Sequence, residues 1–318
     1  MSMPRPPPPA AGRFQDPFLT ATGARRATVG MRGLRTLWIN TGTLCNVACA
    51  GCYIGSSPRN DRLAYISPAE VAGFLDEAAA RDEPLEQVGF TGGEPFMNPG
   101  LPAMLADVLG RPGLSALVLT NAMQPMRRHA ARLRALRVRF GAGRLVIRVS
   151  LDHHDPDRHD LERGQGSFAR TVDGLAWLAR EGFLPHVAGR LGFGRDGEAA
   201  MRAGYARLFA ERGIPVDAAD PVALMLFPEM EEGAEVPEIS EACWGILRKS
   251  PEGVMCASSR MVVRRRGAER PAVVACTLLP YDPRFELGAT LAEASRPVAL
   301  NHPHCARFCV LGGAACSR

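Results

Sequence analysis

The feature that most limits the folds open to this chain is an alternation of β-prone runs and amphipathic helical patterns over its first two-thirds. The strand candidates are residues 34–40, 87–91, 116–120, 145–151, 185–191 and 222–227. The helix candidates between them are residues 68–81, 101–109, 126–136, 167–181 and 198–212. The first of these helices begins with Ser67-Pro68-Ala69-Glu70, which is typical of a capped helix start. Alternation of this kind predicts βαβ units and therefore an α/β fold with a parallel sheet.

Three cysteines follow the first predicted strand with the spacing C-x3-C-x2-C. They are Cys45, Cys49 and Cys52. Three thiolates can bind three irons of a cubane cluster and leave the fourth iron open, whereas an ordinary electron-transfer cluster has four cysteine ligands. In a parallel (β/α) barrel, the loops after the strands form the active face. The spacing and the position together indicate a cluster that takes part in catalysis.

A second motif, Gly92-Gly93-Glu94, follows the second predicted strand. Glycines expose the backbone, and a neighbouring carboxylate can hold an ammonium group by charge-assisted hydrogen bonds. The two motifs in this order resemble the radical S-adenosylmethionine (radical SAM) superfamily. The resemblance implies a partial (β/α)6 TIM-like barrel. It also implies a [4Fe–4S] cluster on Cys45, Cys49 and Cys52, at which SAM is reductively cleaved to a 5′-deoxyadenosyl radical that abstracts hydrogen from a substrate.

The same resemblance suggests which residues contact SAM. Gly92, Gly93 and Glu94 correspond to the segment that binds the SAM amino group. The further candidates are Asn121, Ser150, Asp152 and Arg190. Ser150 and Asp152 would reach the ribose hydroxyls, or instead cap the following turn. The guanidinium of Arg190 would pair with the SAM carboxylate.

The chain departs from the family pattern next to the third cysteine. Many members have an aromatic residue there that packs on the adenine, and this chain has Gly51. Tyr53, on the other side of Cys52, is the candidate replacement, provided that the loop turns differently.

Residues 152–160 combine histidines and aspartates in the manner of a metal site. However, His159-Asp160, followed by residues 163–168 (RGQGSF), resembles a segment that many radical SAM barrels carry after the fourth strand. Histidine and aspartate also suit loops and caps, so a structural role is favoured. Ser167 is the predicted N-cap of the following helix.

The C-terminal region loses the βα alternation and gains cysteines. They are Cys243, Cys256, Cys276, Cys305, Cys309 and Cys316. The region resembles the SPASM or twitch extensions, which bind auxiliary iron–sulfur clusters. That resemblance implies one auxiliary [4Fe–4S] cluster on four of the six, with a second, incompletely ligated cluster as a variant. A zinc site is the alternative, although the region has no C-x2-C pair. A spare thiol, Cys243 or Cys316, could donate a hydrogen atom to a substrate radical.

Composition sets the domain plan and the cellular setting. The predicted units are a Pro/Arg-rich flexible arm (1–33), a radical SAM barrel (34–235) and an auxiliary cluster domain (236–318). The chain has no run of eighteen apolar residues and no apolar signal core, and it carries nine cysteines. These features predict a cytoplasmic protein that uses metals rather than disulfides. A net charge of +5 with 6% aromatic residues disfavours nucleic-acid binding.

The predicted substrate is a peptide, including ribosomally made natural-product precursors, or a small metabolite. The resemblance implies a low-potential electron donor such as flavodoxin or ferredoxin. The first thirty residues are too short and too Pro/Arg-rich for a winged-helix precursor-recognition segment, so a peptide substrate is expected to be recognised by a separate peptide-recognition protein or by the C-terminal domain. The alternatives are a tRNA-modifying radical SAM enzyme, a molybdenum-cofactor GTP cyclase and a non-catalytic zinc or iron–sulfur module. The last would leave Gly92-Gly93-Glu94 unexplained.

Overall fold

The computed structural model describes residues 12–192, 197–228 and 235–313. The strands are β1 (Thr28–Val29), β2 (Thr36–Asn40), β3 (Gln87–Thr91), β4 (Ser115–Thr120), β5 (Leu145–Ser150), β6 (His186–Arg190), β7 (Leu224–Phe227), β8 (Ser259–Val263), β9 (Ala272–Val274), β10 (Glu286–Gly288) and β11 (Val298–Ala299). All six predicted strands are confirmed, and their ends differ from the predicted ones by at most two residues.

The helices are α1 (Pro68–Ala80), α2 (Leu101–Gly110), α3 (Gln124–Arg127), α4 (Ala130–Phe140), α5 (Pro156–Arg163), α6 (Ser167–Arg180), α7 (Glu198–Arg212) and α8 (Ala242–Leu247), with a π-helical segment at Cys305–Leu311. The capped start of α1 is confirmed, because Ser67 Oγ accepts a hydrogen bond from the Glu70 amide and the Glu70 carboxylate accepts one from the Ser67 amide.

Two helix predictions were wrong. The single helix expected over residues 126–136 is two helices, α3 and α4, which are separated at His129, whose ring nitrogen lies 3.2 Å from the Phe96 carbonyl. The segment before α6 contains a helix, α5, that the sequence analysis treated as a loop. Asp155 caps α5 by accepting bonds from the Asp157 and Arg158 amides.

Strands β2 to β7 lie side by side in chain order, and every neighbouring pair is parallel. All five residues of β2 are buried, as expected for a parallel sheet that is covered on both faces. The carboxyl ends of these strands therefore meet at one rim. Six parallel strands in sequence order, with helices between them, confirm the predicted partial (β/α)6 architecture.

The C-terminal region is joined to both sides of this sheet. Strand β8 pairs in parallel with β2, in the register Leu37 opposite Arg260, and β9 and β10 continue from it in antiparallel order. On the far side, Phe308 of the π-helical segment stacks on Phe227 of β7, with ring centroids 5.7 Å apart. The region thus reaches both the first and the last strand of the six.

Residues 12–33, which the sequence analysis assigned to the flexible arm, pack against the C-terminal region. Strand β1 pairs with β11, and buried Arg26 donates to Glu238 at 2.5 Å. Residues 1–11 lie outside the described part of the chain. In the described ranges, no helix combines the length and the apolar character that crossing a membrane requires.

Candidate active site

The three N-terminal cysteines lie in a loop (residues 41–57, the cysteine loop) that leaves the carboxyl end of β2. The loop is held by backbone bonds, from the Cys45 amide to the Ser57 carbonyl at 3.1 Å and from the Ala50 amide to the Glu162 carbonyl at 2.8 Å. Burial, together with the nearby charges of Glu94, Cys49 and Cys52, raises the pKa of Cys45 to about 12. The three thiols therefore lie close enough for the charge of one to affect the pKa of another.

Gly92 and Gly93 lie directly against the cysteine loop. The Gly93 amide donates to the Gly42 carbonyl at 2.8 Å, and the Glu94 amide donates to the Leu44 carbonyl at 3.1 Å. A β-carbon on Gly92 would collide with the Gly42 carbonyl oxygen, and one on Gly93 with the Leu44 carbonyl oxygen. Gly92 also has φ of 138°, a value that favours glycine. Both glycines are thus required by the close approach of two backbones.

Glu94 is buried between these motifs. One carboxylate oxygen accepts bonds from the Phe96 amide at 3.1 Å and the Thr120 hydroxyl at 2.8 Å, and the other accepts one from the Asn121 amide at 2.9 Å. Burial raises the pKa of Glu94 to about 7, although these bonds oppose the rise. A cationic group beside it would restore the ionised form.

Asn121 links the end of β4 to the cysteine loop. Its side-chain amide donates to Asn46 Oδ1 at 2.9 Å, and its side-chain oxygen accepts a bond from the Met123 amide at 3.0 Å. Asn46 is the residue after Cys45, so this contact positions the loop.

Asp152 makes a buried ion pair that the sequence analysis did not foresee. Arg163 Nε donates to Asp152 Oδ2 at 2.7 Å, and Arg163 Nη2 donates to Oδ1 at 2.9 Å. Burial alone would raise the pKa of Asp152, but the charge and hydrogen bonds of Arg163 outweigh it and hold the pKa below its usual range. Arg163 also interacts electrostatically with Cys49 and Cys52. Both carboxylate oxygens of Asp152 therefore already accept bonds.

Arg190 explains the glycine in front of the third cysteine. Its Nη1 donates to Glu162 at 3.0 Å. A β-carbon on Gly51 would lie 2.8 Å from Arg190 Nη1 and 3.0 Å from the Glu162 carboxylate. The position where many family members carry an aromatic side chain is thus occupied here by an ion pair.

Two other predicted SAM contacts lie at the same rim. Ser150 is the last residue of β5 and is partly buried. Tyr53 lies in the cysteine loop with 42% of its surface exposed. The structure therefore brings the N-terminal candidates to the carboxyl ends of β2 to β6, where the sequence analysis expected them.

The His-Asp segment has the structural role that was favoured. Asp160 accepts bonds from the Gly166 and Phe168 amides and the Ser167 hydroxyl, and His159 Nδ1 accepts one from the Asp152 amide at 3.2 Å. The N-cap prediction for Ser167 was wrong. Gly166, in the left-handed conformation, caps α6, and the Ser167 hydroxyl is taken by Asp160.

Four of the six C-terminal cysteines line one cavity, together with His304 and apolar side chains. They are Cys256, Cys276, Cys305 and Cys309. Burial raises the pKa of Cys305, and the charges of Cys276 and Cys256 add to the rise. Cys243 lies apart on α8 with its sulfur 3.4 Å from Ser240 Oγ, and Cys316 lies outside the described residues. We call this space the C-terminal cysteine cavity.

Tyr281 links the segment that follows Cys276 to the cysteine loop. It follows Cys276 in the chain, and its hydroxyl donates to the Ile54 carbonyl of the cysteine loop at 3.1 Å.

Among the described residues, no three His, Cys, Asp or Glu side chains are arranged around the position of a single metal ion. The donors do suit cubane clusters, since three thiols share one loop and four share one cavity, and a cubane offers each thiolate its own iron.

The sequence model of the Radical SAM superfamily matches residues 39–202, which span β2 to the start of α7. The chain belongs to the radical SAM superfamily. It is therefore an enzyme of the class that uses a [4Fe–4S] cluster and SAM.

The curated relatives match less than half of the chain. The Bacillus subtilis protein AlbA, which takes part in biosynthesis of the bacteriocin subtilosin, is 30% identical over 145 residues, covering 45% of this chain and 30% of AlbA. The GTP 3′,8-cyclase of Geobacter sulfurreducens is 28% identical over 158 residues, covering 48% of this chain and 45% of the cyclase. The aligned part is thus under half the length of either relative.

Two solved structures with bound SAM share the fold of this chain. Streptococcus suis SuiB bound to SAM superimposes with a TM-score of 0.58 at 11% identity, covering 81% of this chain and 63% of SuiB. The protein anSMEcpe with bound SAM gives 0.55 at 14% identity, covering 82% of this chain and 79% of that one. Both superpositions cover a larger share of this chain than the residues that the sequence model matches.

Sequence reasoning missed Glu162 and Arg163 as site residues. Arg163 had been noted only as part of a motif, and Glu162 carries no spacing signal. The overlooked clue was Asp155-Pro156, a capping residue followed by proline, which is a common helix start. Recognising α5 would have placed its last two residues beside the cysteine loop.

Proposed function

We propose that this chain is a peptide-modifying radical SAM enzyme with one auxiliary cluster. The observation that carries the proposal is that one chain has two cysteine sites, the cysteine loop at the barrel rim and the four-cysteine cavity of the C-terminal region. The name of AlbA, a bacteriocin biosynthesis protein, supports a ribosomal peptide as the substrate class.

At the barrel rim, Cys45, Cys49 and Cys52 would hold the SAM-binding [4Fe–4S] cluster. When bound, this group supplies the electron that cleaves SAM to a 5′-deoxyadenosyl radical. Glu94 would accept the SAM ammonium, because its second carboxylate oxygen has only one described donor, the Asn121 amide. Gly92 and Gly93 would hold the backbone of this segment against the cysteine loop.

Polar residues on and beside α5 would position SAM on the side away from Glu94. Arg190, with its partner Glu162, lies over Gly51 and would face the SAM carboxylate. Asp152 is engaged by Arg163, so we assign it to support of the loop rather than to a direct bond with both ribose hydroxyls. Ser150, Asn121 and exposed Tyr53 complete the candidate set at the rim.

Cys256, Cys276, Cys305 and Cys309 would hold the auxiliary [4Fe–4S] cluster. Their cavity is lined by residues shortly before β8 and by the π-helical segment, whose Phe308 packs on Phe227 of β7. Low-potential electrons would come from a flavodoxin or ferredoxin, and a separate protein would present the peptide.

A nucleotide substrate is the second candidate, because several GTP 3′,8-cyclases match the same part of the chain. Hydrogen abstraction distinguishes the two. The anaerobically reconstituted, dithionite-reduced protein would be incubated with SAM and either a peptide digest from deuterated bacterial cells or ribose-deuterated GTP. We expect 5′-deoxyadenosine to gain deuterium from the peptides alone.

Deuterium gained from GTP would favour the nucleotide alternative. Deoxyadenosine without deuterium from the peptide digest would contradict the peptide assignment. A Cys45→Ala/Cys49→Ala/Cys52→Ala variant is the control and should form no deoxyadenosine.

A further inference from the structure

Arg260 is a buried cation in the wall of the C-terminal region. It lies on β8, and only 1% of its surface is exposed. Its guanidinium donates to backbone carbonyls, to Ala294 at 2.8 Å, to Cys256 at 2.6 Å and to Ser259 at 2.7 Å, with a longer bond of 3.3 Å to Arg296. Carbonyl oxygens satisfy its donors, but they carry no full negative charge.

A buried charge without a counter-charge is costly, and proteins normally pair it. Within residues 12–192, 197–228 and 235–313, no carboxylate forms an ion pair with Arg260. Arg26 and Arg163 differ from Arg260 in this respect, because Arg26 pairs with Glu238 and Arg163 pairs with Asp152. An arginine guanidinium is not deprotonated in proteins, so Arg260 is a buried positive charge.

Arg260 is in contact with the wall of the C-terminal cysteine cavity, because its guanidinium donates to the Cys256 carbonyl at 2.6 Å. When ionised as cluster ligands, Cys256 and Cys276 would be the negative charges that act on the guanidinium. Both cysteines line the C-terminal cysteine cavity with Cys305 and Cys309. A cubane held by four thiolates carries a net negative charge, which would complete the pairing.

We propose that Arg260 is the fixed counter-charge of the auxiliary cluster and sets its reduction potential. This inference rests on the auxiliary cluster of the proposed function. One-electron reduction adds a third negative charge to a four-thiolate cluster that already carries two, and a buried cation favours the more negative state. Loss of the cation therefore makes the cluster harder to reduce.

The test uses the full chain with Cys45→Ala, Cys49→Ala and Cys52→Ala, so that only the auxiliary cluster remains. In this background, Arg260→Gln removes the charge and Arg260→Lys keeps it. Iron and sulfide per chain are measured first, and the cluster is then titrated with dithionite while the reduced form is followed by electron paramagnetic resonance. Arg260→Gln should bias the equilibrium toward the oxidised form by a factor of about 3 to 30, equivalent to about 30 to 90 mV for one electron.

Arg284→Gln is the matched control. Arg284 also interacts with a cavity thiol, Cys305, but its charge is balanced by Asp282 at 2.6 Å and its side chain is 38% exposed. We expect Arg284→Gln to change the equilibrium less than twofold, and Arg260→Lys to stay close to the parent protein. If Arg260→Gln and Arg260→Lys shift the equilibrium equally, or neither shifts it, Arg260 acts only through its hydrogen bonds and the inference is wrong.

Arg260→Gln could instead fail to fold, because four carbonyls would lose donors. In that case the parent protein with Arg284→Gln and Arg307→Gln is labelled with ¹⁵N in the guanidinium groups of arginine only, because Arg307 lies between Cys305 and Cys309, and is examined by pulsed electron paramagnetic resonance. Coupling between the reduced cluster and an arginine nitrogen supports the proposal, and its absence overturns it. A parent protein that binds no iron would remove the auxiliary cluster itself, a result that is distinguishable from an unchanged potential.

Discussion

Replacing Arg163 by methionine tests whether the Asp152–Arg163 pair holds the polar side of the active site together. The pair is bidentate, with bonds of 2.7 and 2.9 Å, and its side chains are 15% and 5% exposed. Removing one member of a buried pair leaves an uncompensated charge, which costs about 3 to 5 kcal/mol. We expect Arg163→Met to lower the free energy of unfolding by about that amount.

The chain contains a matched control, an ion pair with the same bidentate geometry that is exposed to solvent. Arg134 and Glu181 are also bidentate, with bonds of 2.6 Å each, but the Arg134 side chain is 50% exposed. Solvent screens such a pair, so Arg134→Met should lower the free energy of unfolding much less than Arg163→Met does. Both variants would be compared by urea unfolding of cluster-free protein at pH 7, so that metal release does not enter the transition.

The double variant Asp152→Asn/Arg163→Met provides a second test of the same argument. Since it removes both charges, it should be less destabilised than the sum of the two single variants. Equal losses for Arg163→Met and Arg134→Met, or strict additivity in the double variant, would refute the argument that burial makes this pair strong.

The remaining predictions concern pH, SAM binding and cluster content. Arg163 holds the pKa of Asp152 below the ordinary value of 3.8, so the stability difference between wild type and Asp152→Asn should be full at pH 7 and shrink as the pH falls below about 4, as acid unfolding curves would reveal. Glu94→Gln should retain its iron but bind SAM about 10 to 150 times more weakly by equilibrium titration, because a charge-assisted bond contributes about 1.5 to 3 kcal/mol; unchanged affinity would contradict the role given to Glu94. Gly51→Phe should weaken SAM binding by displacing the Arg190–Glu162 pair, and the same titration with normal affinity would show that the loop tolerates the ring. Cys243→Ser should keep the iron content of the wild type, whereas Cys256→Ser should lose auxiliary iron; iron loss in Cys243→Ser would reassign the ligand set.

Local sequence patterns were sufficient for most of the barrel. Each strand is a short apolar run with clear borders, and the Ser67-Pro68 start of α1 is a cap whose bonds involve near neighbours only. The split between α3 and α4 could not be predicted in this way, because His129 contacts the Phe96 carbonyl, which lies far away in the chain. Interactions between distant segments thus interrupt the helix that the local pattern predicts at this position.

The residues of the candidate site likewise fall into two groups, those found from the sequence and those found only in the fold. The cysteine spacing and the Gly92-Gly93-Glu94 motif are contiguous in sequence, and they were found from it. The partners of Asp152 and Arg190 come from α5, and no spacing rule connects them to the cysteine loop. The fold alone also distinguishes Cys243 from the four cavity cysteines, because only three-dimensional packing brings Cys256, Cys276, Cys305 and Cys309 together.

The parallel pairing of β8 with β2 has a practical consequence for anyone who wishes to shorten this protein. A truncation after residue 235 would not release an independent barrel, since it would strip one neighbour from the strand that leads into the cysteine loop. The unpaired backbone of β2 (Thr36–Asn40) would then offer an apolar edge for intermolecular pairing. Expression trials of such a fragment should yield aggregates. The two cysteine-bearing parts are in this sense a single folding unit.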